Sequence, residues 1–149
     1  MSLDEVRVIA VVYFAVFIPL LIYIFRKSAL PSWVPTFYIV GIVVCALGWE
    51  LWFTFGWLNG DPVSIRRSEA LNYWLPQNIN WLMNSMGDSG TVLLGGSWLM
   101  WLSHNKNNLI FQKWKWSAFL VLLIWCIGQN IFVEMFLYHD QLAEGKDLS

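Results

Sequence analysis

The sequence predicts an all-α polytopic integral membrane protein, an antiparallel bundle of four transmembrane helices that forms one membrane domain over residues 1–149. Two observations predict this class. Of the 149 residues, 58% are hydrophobic and 13% are charged, whereas charged residues make up about 25% of a typical soluble domain. In addition, four apolar segments approach the length of about 20 residues that a membrane span requires. The net charge of −1, with no basic run, argues against nucleic acid as a partner.

A short basic turn separates the first two apolar segments. Residues 6–25 form the first predicted span, which ends at Arg26 and Lys27. This segment is too long for the core of a signal peptide and lacks a basic leader, so we expect a retained helix. Residues 34–57 form the second predicted span, with Pro35 in its first turn, where proline is tolerated.

The longest connection, residues 58–78, is predicted to cap one end of the bundle. The run Asn59-Gly60-Asp61-Pro62 is a strong turn signal. Residues 64–74 are predicted to form a short helix at the membrane interface. The apolar side chains that this helix is expected to turn towards lipid are Ile65, Leu71 and Trp74.

The second half of the chain supplies two more predicted spans, residues 79–103 and residues 116–138, joined by a polar turn. An even number of spans places both termini on the same side of the membrane. Basic residues in the short loops favour those loops as cytoplasmic. The sequence therefore predicts that both termini and the capping loop lie on the non-cytoplasmic side.

The third span carries polar groups that the rest of the chain is predicted to surround. Asn80, Asn84 and Asp88 follow one another at four-residue steps, so they share one face of a helix. Thr91 continues that face. A carboxylate and two amides inside a bilayer are unfavourable unless they meet partners, so we expect the other helices to supply them.

Polar groups on three predicted spans lie at matching depths below the face that the capping loop covers. At a rise of about 1.5 Å per residue, Glu50 lies about 10 Å and Asp88 about 13 Å below that face. Asn130 and Glu134 lie roughly 12 Å and roughly 6 Å below it. Ionisable groups inside a membrane are candidate functional groups, which favours a site between spans two, three and four.

The side chains of this predicted site fall into two sets. The candidate catalytic residues are Glu50, Asp88 and Glu134. The candidate ligand-binding residues are Asn84, Asn130, Trp49, Trp52, Thr54, Asn80 and Gln129. A neutral acid beside a carboxylate is an arrangement used in general acid–base catalysis, and tryptophan faces stabilise cations. The competing interpretation is structural. Asn80, Thr91 and Gln129 would form interhelical hydrogen bonds, and Glu134 and Asn80 would contact headgroup water.

Neither a metal site nor a cofactor is predicted. His104 and His139 fall at opposite ends of the membrane, and the Glu-x-x-His spacing of di-iron bundles does not occur. The sequence also lacks a nucleophile elbow, a P-loop and a dinucleotide-binding fingerprint. Cys45 and Cys126 lie inside predicted spans, where we expect packed thiols rather than a disulfide.

Two short segments resemble families of membrane enzymes. The run Cys45-Ala46-Leu47-Gly48-Trp49-Glu50-Leu51-Trp52 resembles the corresponding helix of membrane-integral terpene cyclases. That resemblance implies Glu50 as the acid that protonates an epoxide or alkene. Those cyclases have seven spans, however, and the helix bearing their second acid has no counterpart here. Gly128-Gln129, followed by Glu134 and His139, is similar to a helix of the emopamil-binding (sterol isomerase-like) family, whose order of acids is not reproduced.

These features predict an acidic pocket in one leaflet that binds a small lipophilic molecule, isoprenoid or sterol-like. If the protein is an enzyme, an isomerase or cyclase is expected, with Glu50 and Asp88 as proton donor and acceptor. An alternative is a non-catalytic subunit of a larger membrane complex, or a homo-oligomer, whose buried acids pair with partner helices. A proton or cation conductor is a third option, but the opposite half of the membrane offers little beyond Ser97 and Ser103 to line a pore. Membrane lipids are partners in every case.

Overall fold

The fold of the described residues, 1–58, 60–133 and 135, is known from a computed structural model. The described residues are 80% helical, which confirms the predicted all-α class. Two helices, Leu3–Arg26 and Trp116–Val133, are long and apolar enough to cross a membrane. A bent pair of helices between them is a third candidate span. These helices support a membrane protein, while a bundle of four spans and the sidedness of the termini stay predictions.

Seven α-helices form the described part of the chain. In order they are α1 (Leu3–Arg26), α2 (Val34–Leu47), α3 (Trp49–Phe55), α4 (Glu69–Trp74), α5 (Gln77–Asp88), α6 (Gly95–Ser103) and α7 (Trp116–Val133). A π-helix, Ser89–Leu94, joins α5 to α6, and 3-10 turns lie at Val63–Arg66 and Asn108–Phe111. A hairpin pairs strands β1 (Trp57–Leu58) and β2 (Asp61–Pro62), with Gly60 at a φ of 89° in its turn.

Helix α1 begins at a capping box. The Ser2 hydroxyl accepts a hydrogen bond from the Glu5 amide at 3.2 Å, and the Glu5 carboxylate accepts one from the Ser2 amide. Val8, Val12 and Val16 are buried at four-residue steps, so one face of α1 packs against the protein. Most large apolar side chains on its other faces are exposed, as expected of a helix that contacts lipid.

The second predicted span is two helices rather than one. Helices α2 and α3 meet at Gly48, where the axis bends by 44°. Gly48 has φ −90° and ψ −119°, a non-helical backbone conformation. Gly56 then ends α3, and the chain enters the β1–β2 hairpin. The sequence predicts one span here because Glu50 is the only charged residue of 34–57 and glycine can also continue a helix.

The third predicted span is the centre of the fold. Helix α5, the π-helix and α6 follow one another without a gap over residues 77–103, and we call this run the central helix. Its first half packs against α1, α2 and α3, and α6 packs against α7. Glycines permit the closest crossings: a Cβ on Gly41 would lie 2.3 Å from Ser89 Oγ, and one on Gly96 would lie 2.5 Å from Leu122 Cδ1.

The capping loop folds onto the start of α1. Leu71 and Leu75 are fully buried and form a cluster with Val8 and Val12. The prediction that Leu71 faces lipid is therefore wrong: α4 turns this side chain towards α1 because the loop packs on the bundle. Trp74 is exposed, and its carbonyl accepts a hydrogen bond from the Tyr13 hydroxyl at 3.0 Å.

Ser68 ties the capping loop to the N-terminus of α1. Its hydroxyl donates to the Glu5 carboxylate and accepts from the Leu71 amide at 3.1 Å, which caps α4. Ser68→Ala should therefore destabilise α4 by about 1 kcal/mol. Hydrogen exchange of the α4 amides should be roughly fivefold to tenfold faster in this variant than in the wild type. Ser64→Ala, at an exposed position of the same loop, is the control and should leave those rates unchanged.

Candidate intramembrane acidic site

Two carboxyl groups meet where α3 crosses α5. Glu50 lies in the first turn of α3, directly after the bend, and Asp88 is the last residue of α5. The two groups are close enough to interact electrostatically. Asn84, one turn before Asp88, interacts with the Glu50 carboxyl group. We call Glu50, Asp88, Asn84 and Trp49 the acidic site.

Glu50 is the more buried of the two acids. Glu50 is 7% exposed. Within the described part of the chain, its Oε2 atom is buried and has no hydrogen-bond partner. A buried polar atom without a partner costs roughly 1–3 kcal/mol, so it is rarely retained without a reason. This atom is available to a proton or to a ligand.

Trp49 fixes the orientation of Asp88. The indole Nε1 of Trp49 donates a hydrogen bond to Asp88 Oδ2 at 2.7 Å. Trp49 and Glu50 are consecutive residues of α3, so a single turn of helix contacts both Asp88 and Asn84 on α5. The buried thiol of Cys45 lies near both carboxyl groups and completes the surroundings of the pair.

Two hydrogen bonds from α5 stabilise the bend that positions Glu50. The indole Nε1 of Trp81 donates to the Ala46 carbonyl at 2.8 Å. In an uninterrupted helix that carbonyl would accept from the amide of Glu50. One turn before Trp81, the Gln77 side-chain amide donates to the Thr54 carbonyl at 2.6 Å. Side chains of the central helix therefore bind the backbone of α2 and α3 on both sides of the acidic site.

The π-helix changes which neighbour the central helix faces. The Ser89 hydroxyl donates to the Tyr38 carbonyl of α2 at 2.7 Å. Two residues later, the Thr91 carbonyl accepts from the Trp125 indole of α7 at 2.9 Å. An extra residue in a helical turn rotates the residues that follow it, and such π segments occur often at functional sites. The acidic site ends where this rotation begins.

The other candidate ligand-binding residues of α3 and α5 lie around this pair. Thr54 is buried, one turn after Glu50, and Trp52 is 64% exposed on the outer side of α3. Asn80 is half-buried, and its Oδ1 atom is buried without a hydrogen-bond partner among the described residues. The α3–α5 contact thus contains two unpaired acceptor oxygens, one on each helix.

The candidates of the fourth span lie elsewhere in the described structure. Asn130 is exposed, and its amide donates to the Cys126 carbonyl of its own helix at 2.8 Å. Gln129 lines a groove of about 620 Å³ between α6 and α7. Glu134 lies outside the described residues, as does His139. The meeting of three acids from three spans therefore stays a prediction, while Glu50 and Asp88 do meet.

The residues that build the site include two that the sequence did not single out for it. Trp81 is not among the candidate residues from the sequence, but its indole binds the backbone of α2 at the bend. The sequence predicts Gln77 in the capping loop, but it begins α5 and binds α3. The available signal was their spacing: both share the α5 face that carries Asn80, Asn84 and Asp88.

The described residues contain no cluster of three or more histidine, cysteine, aspartate or glutamate side chains that could hold a metal ion. Comparison with known proteins gives no matching family model, curated protein or solved structure. The resemblances to terpene cyclases and to the emopamil-binding family therefore stay predictions. What the acidic site can do follows from its own chemistry: it can hold and transfer a proton, or bind a ligand that complements buried oxygens.

Trp81→Phe tests the role of the indole at the bend. Phenylalanine retains an aromatic ring beside Phe55, whose ring centroid lies 6.0 Å from that of Trp81, but it cannot donate to the Ala46 carbonyl. We expect a loss of about 1–2 kcal/mol in the free energy of unfolding, measured in detergent. Trp98→Phe, at an exposed position of α6, is the control. An equal effect of both substitutions would contradict a role for the Trp81 N–H.

Proposed function

We propose that the acidic site binds a small lipophilic molecule, isoprenoid or sterol-like, and transfers protons to and from it. Isomerisation or cyclisation is the class of reaction that such a site would catalyse. The observation that supports this most is the buried Glu50 carboxyl, which has one oxygen unpaired within the described residues and a second carboxyl, Asp88, beside it. Acid–base catalysis often uses such a pair, with one group as the acid and the other as the base.

The surroundings of the two acids suggest different roles for them. The unpaired Oε2 atom of Glu50 can carry a proton and direct it at a ligand. Asp88 accepts a hydrogen bond from the Trp49 indole. Such an N–H donor stabilises the ionised carboxylate, and the carboxylate is the form that accepts a proton. We therefore assign Glu50 as the proton donor and Asp88 as the acceptor, with Asn84 and Trp49 as residues that position them.

The outer side of α3 provides a route from the bilayer. Two grooves in the described structure, one beside the first half of α1 and one between α6 and α7, are not lined by either acid. Trp49 and Trp52, in contrast, are 47% and 64% exposed next to Glu50. A lipophilic molecule would reach the site from lipid between these aromatic rings, whose large apolar surfaces suit an isoprenoid or sterol-like body.

The test is identification of the molecules that co-purify with the protein in mild detergent, by mass spectrometry. We expect a stoichiometric lipophilic molecule with the wild type, and its loss in Glu50→Gln and Asp88→Asn. Glu69→Gln makes the same chemical change at an exposed carboxylate of α4 and should retain it. Retention of the molecule in all three variants would contradict a binding role for the acidic site.

A second candidate function rests on the outer face of α7. Asn130 is exposed there, and its amide donates to the Cys126 carbonyl of α7 itself. Asparagine side chains can form hydrogen bonds between membrane helices. We propose, as the alternative, that α7 binds a helix of a larger complex or of a second copy of this chain. A stoichiometric protein partner in the same experiment, lost in Asn130→Leu, would favour this function.

A further inference from the structure

We propose that a sodium ion binds between α3 and α5, with Glu50 Oε2 and Asn80 Oδ1 as ligands. The sodium ion would regulate the proposed function. This inference rests on the proposed function only because both assign a role to the Glu50 carboxyl group. A sodium ion on Glu50 Oε2 would occupy the position of the proton that the acid–base step requires.

The first support is an excess of hydrogen-bond acceptors. Glu50 Oε2 and Asn80 Oδ1 are the two buried side-chain atoms that have no hydrogen-bond partner within the described residues, and both are oxygen acceptors. Three donors of this contact have other acceptors: Trp49 binds Asp88, Gln77 binds the Thr54 carbonyl, and Trp81 binds the Ala46 carbonyl. An oxygen acceptor is satisfied by a hydrogen-bond donor or by a cation.

The second support is the register of the two helices, which places Asn80 opposite the Glu50 turn. Gln77 contacts the Thr54 carbonyl, and Asn84 interacts with Glu50, so α3 and α5 run antiparallel here. Asn80 lies between Gln77 and Asn84 on the same face of α5. It therefore lies level with the single helical turn that runs from Glu50 to Thr54.

The third support is the charge of the site. Glu50 interacts with a second carboxyl group and an amide, and the described residues supply no lysine, arginine or histidine to it. An ionised pair of acids inside a bilayer is unfavourable unless a proton or a cation neutralises it. Oxygen ligands select hard cations, and helices that are interrupted inside a membrane, as at Gly48, often form sodium sites.

The test uses dicyclohexylcarbodiimide, a lipophilic reagent that labels protonated carboxyl groups inside membranes. Labelling of Glu50 is measured by peptide mass spectrometry in sodium chloride, potassium chloride and choline chloride at equal ionic strength. A bound cation excludes the proton, so sodium at about ten times its Kd should slow the labelling roughly tenfold relative to choline. Asn80→Ala should lose this protection, whereas Asn78→Ala, at an exposed position of α5, should keep it.

Each outcome decides the proposal. Equal labelling in the three salts, or equal protection by potassium, would overturn it. Protection that survives Asn80→Ala would overturn the assigned ligands. The labelling rate of Asn80→Ala in choline would reveal whether this variant misfolds. In that case the melting temperature of the wild type is measured instead. Sodium should raise this temperature above its value in choline, and no rise would overturn the proposal. Failure here with retention of a Glu50-dependent lipophilic molecule would leave the proposed function standing.

Discussion

Glu50→Gln should slow proton exchange between solvent and the lipophilic molecule by at least about 100-fold, because a positioned acid contributes roughly 10²–10⁴-fold to a proton transfer. Since this variant is expected to lose the molecule on purification, the molecule is supplied in excess so that the weakened site is occupied. Glutamine preserves the size of the side chain and its contact with Asn84, but it has no titratable proton. Asp88→Asn should have a similarly large effect, since it removes the acceptor on the opposite side of the site.

The measurement is deuterium incorporation into the bound molecule in D₂O, followed by mass spectrometry. The control is Glu69→Gln, which removes an exposed carboxylate of the capping loop and should exchange at the wild-type rate. Unchanged exchange in Glu50→Gln, with the molecule still bound, would contradict the assignment of Glu50 as proton donor. It would leave a binding site without acid–base chemistry.

Gly41→Ala should destabilise the protein by about 1–3 kcal/mol, the usual cost of overpacking a close contact. The added methyl group would lie 2.3 Å from Ser89 Oγ and 2.6 Å from Leu93 Cδ1, so these side chains would have to rotate away or α2 and the central helix would have to separate. Ser89 donates to the Tyr38 carbonyl across this contact. The substitution should therefore also weaken the packing that places α3 against α5.

Gly128→Ala is the matched control for this substitution. A Cβ at Gly128 meets no described atom within 4 Å, and alanine favours a helix over glycine by up to about 1 kcal/mol. Thermal unfolding in detergent should show Gly128→Ala as neutral or stabilised and Gly41→Ala as destabilised. Equal melting temperatures for both variants would contradict the close crossing of α2 and the central helix.

The central helix and its polar face could be predicted from the sequence because the evidence is local. Asn84 and Asp88 recur at the helical period inside a segment of spanning length, and such groups need partners in a membrane. Glu50 could be placed at a similar depth by counting residues. Depth alone brings Glu50 and Asp88 to one level of the membrane, and in the structure the two carboxyl groups are close enough to interact electrostatically.

The bend at Gly48 could not be predicted because its cause is tertiary. The two bonds that flank it, from Trp81 and Gln77, come from a helix about thirty positions later in the chain. The burial of Leu71 could not be predicted for the same reason, because it depends on α1, which lies far away in sequence. The π-helix also lacks a local signal, although Gly90 and Gly95 bracket most of its length.

The position of α7 shows the limit of arguments from depth. Counting residues places the polar groups of α7 at the depth of Glu50. A count of residues does not show which neighbouring helix α7 packs against. In the structure α7 packs mainly on α6, where Trp125 and Leu122 meet the glycines of the central helix. Gln129 and Asn130 consequently lie apart from the contact between α3 and α5.

The central claim is that α2 and the central helix pack in the register that brings Asp88 close to Glu50. Disulfide crosslinking in the intact membrane tests this register most directly. A Cβ on Gly41 would lie 3.2 Å from Ser89 Cβ, close to the separation of about 3.5–4.5 Å that a disulfide requires. With Cys45 and Cys126 replaced by alanine, Gly41→Cys should form a disulfide with Ser89→Cys under mild oxidation. The same Gly41→Cys paired with Gly95→Cys, which faces α7, should not. A disulfide in the second pair and none in the first would contradict the account.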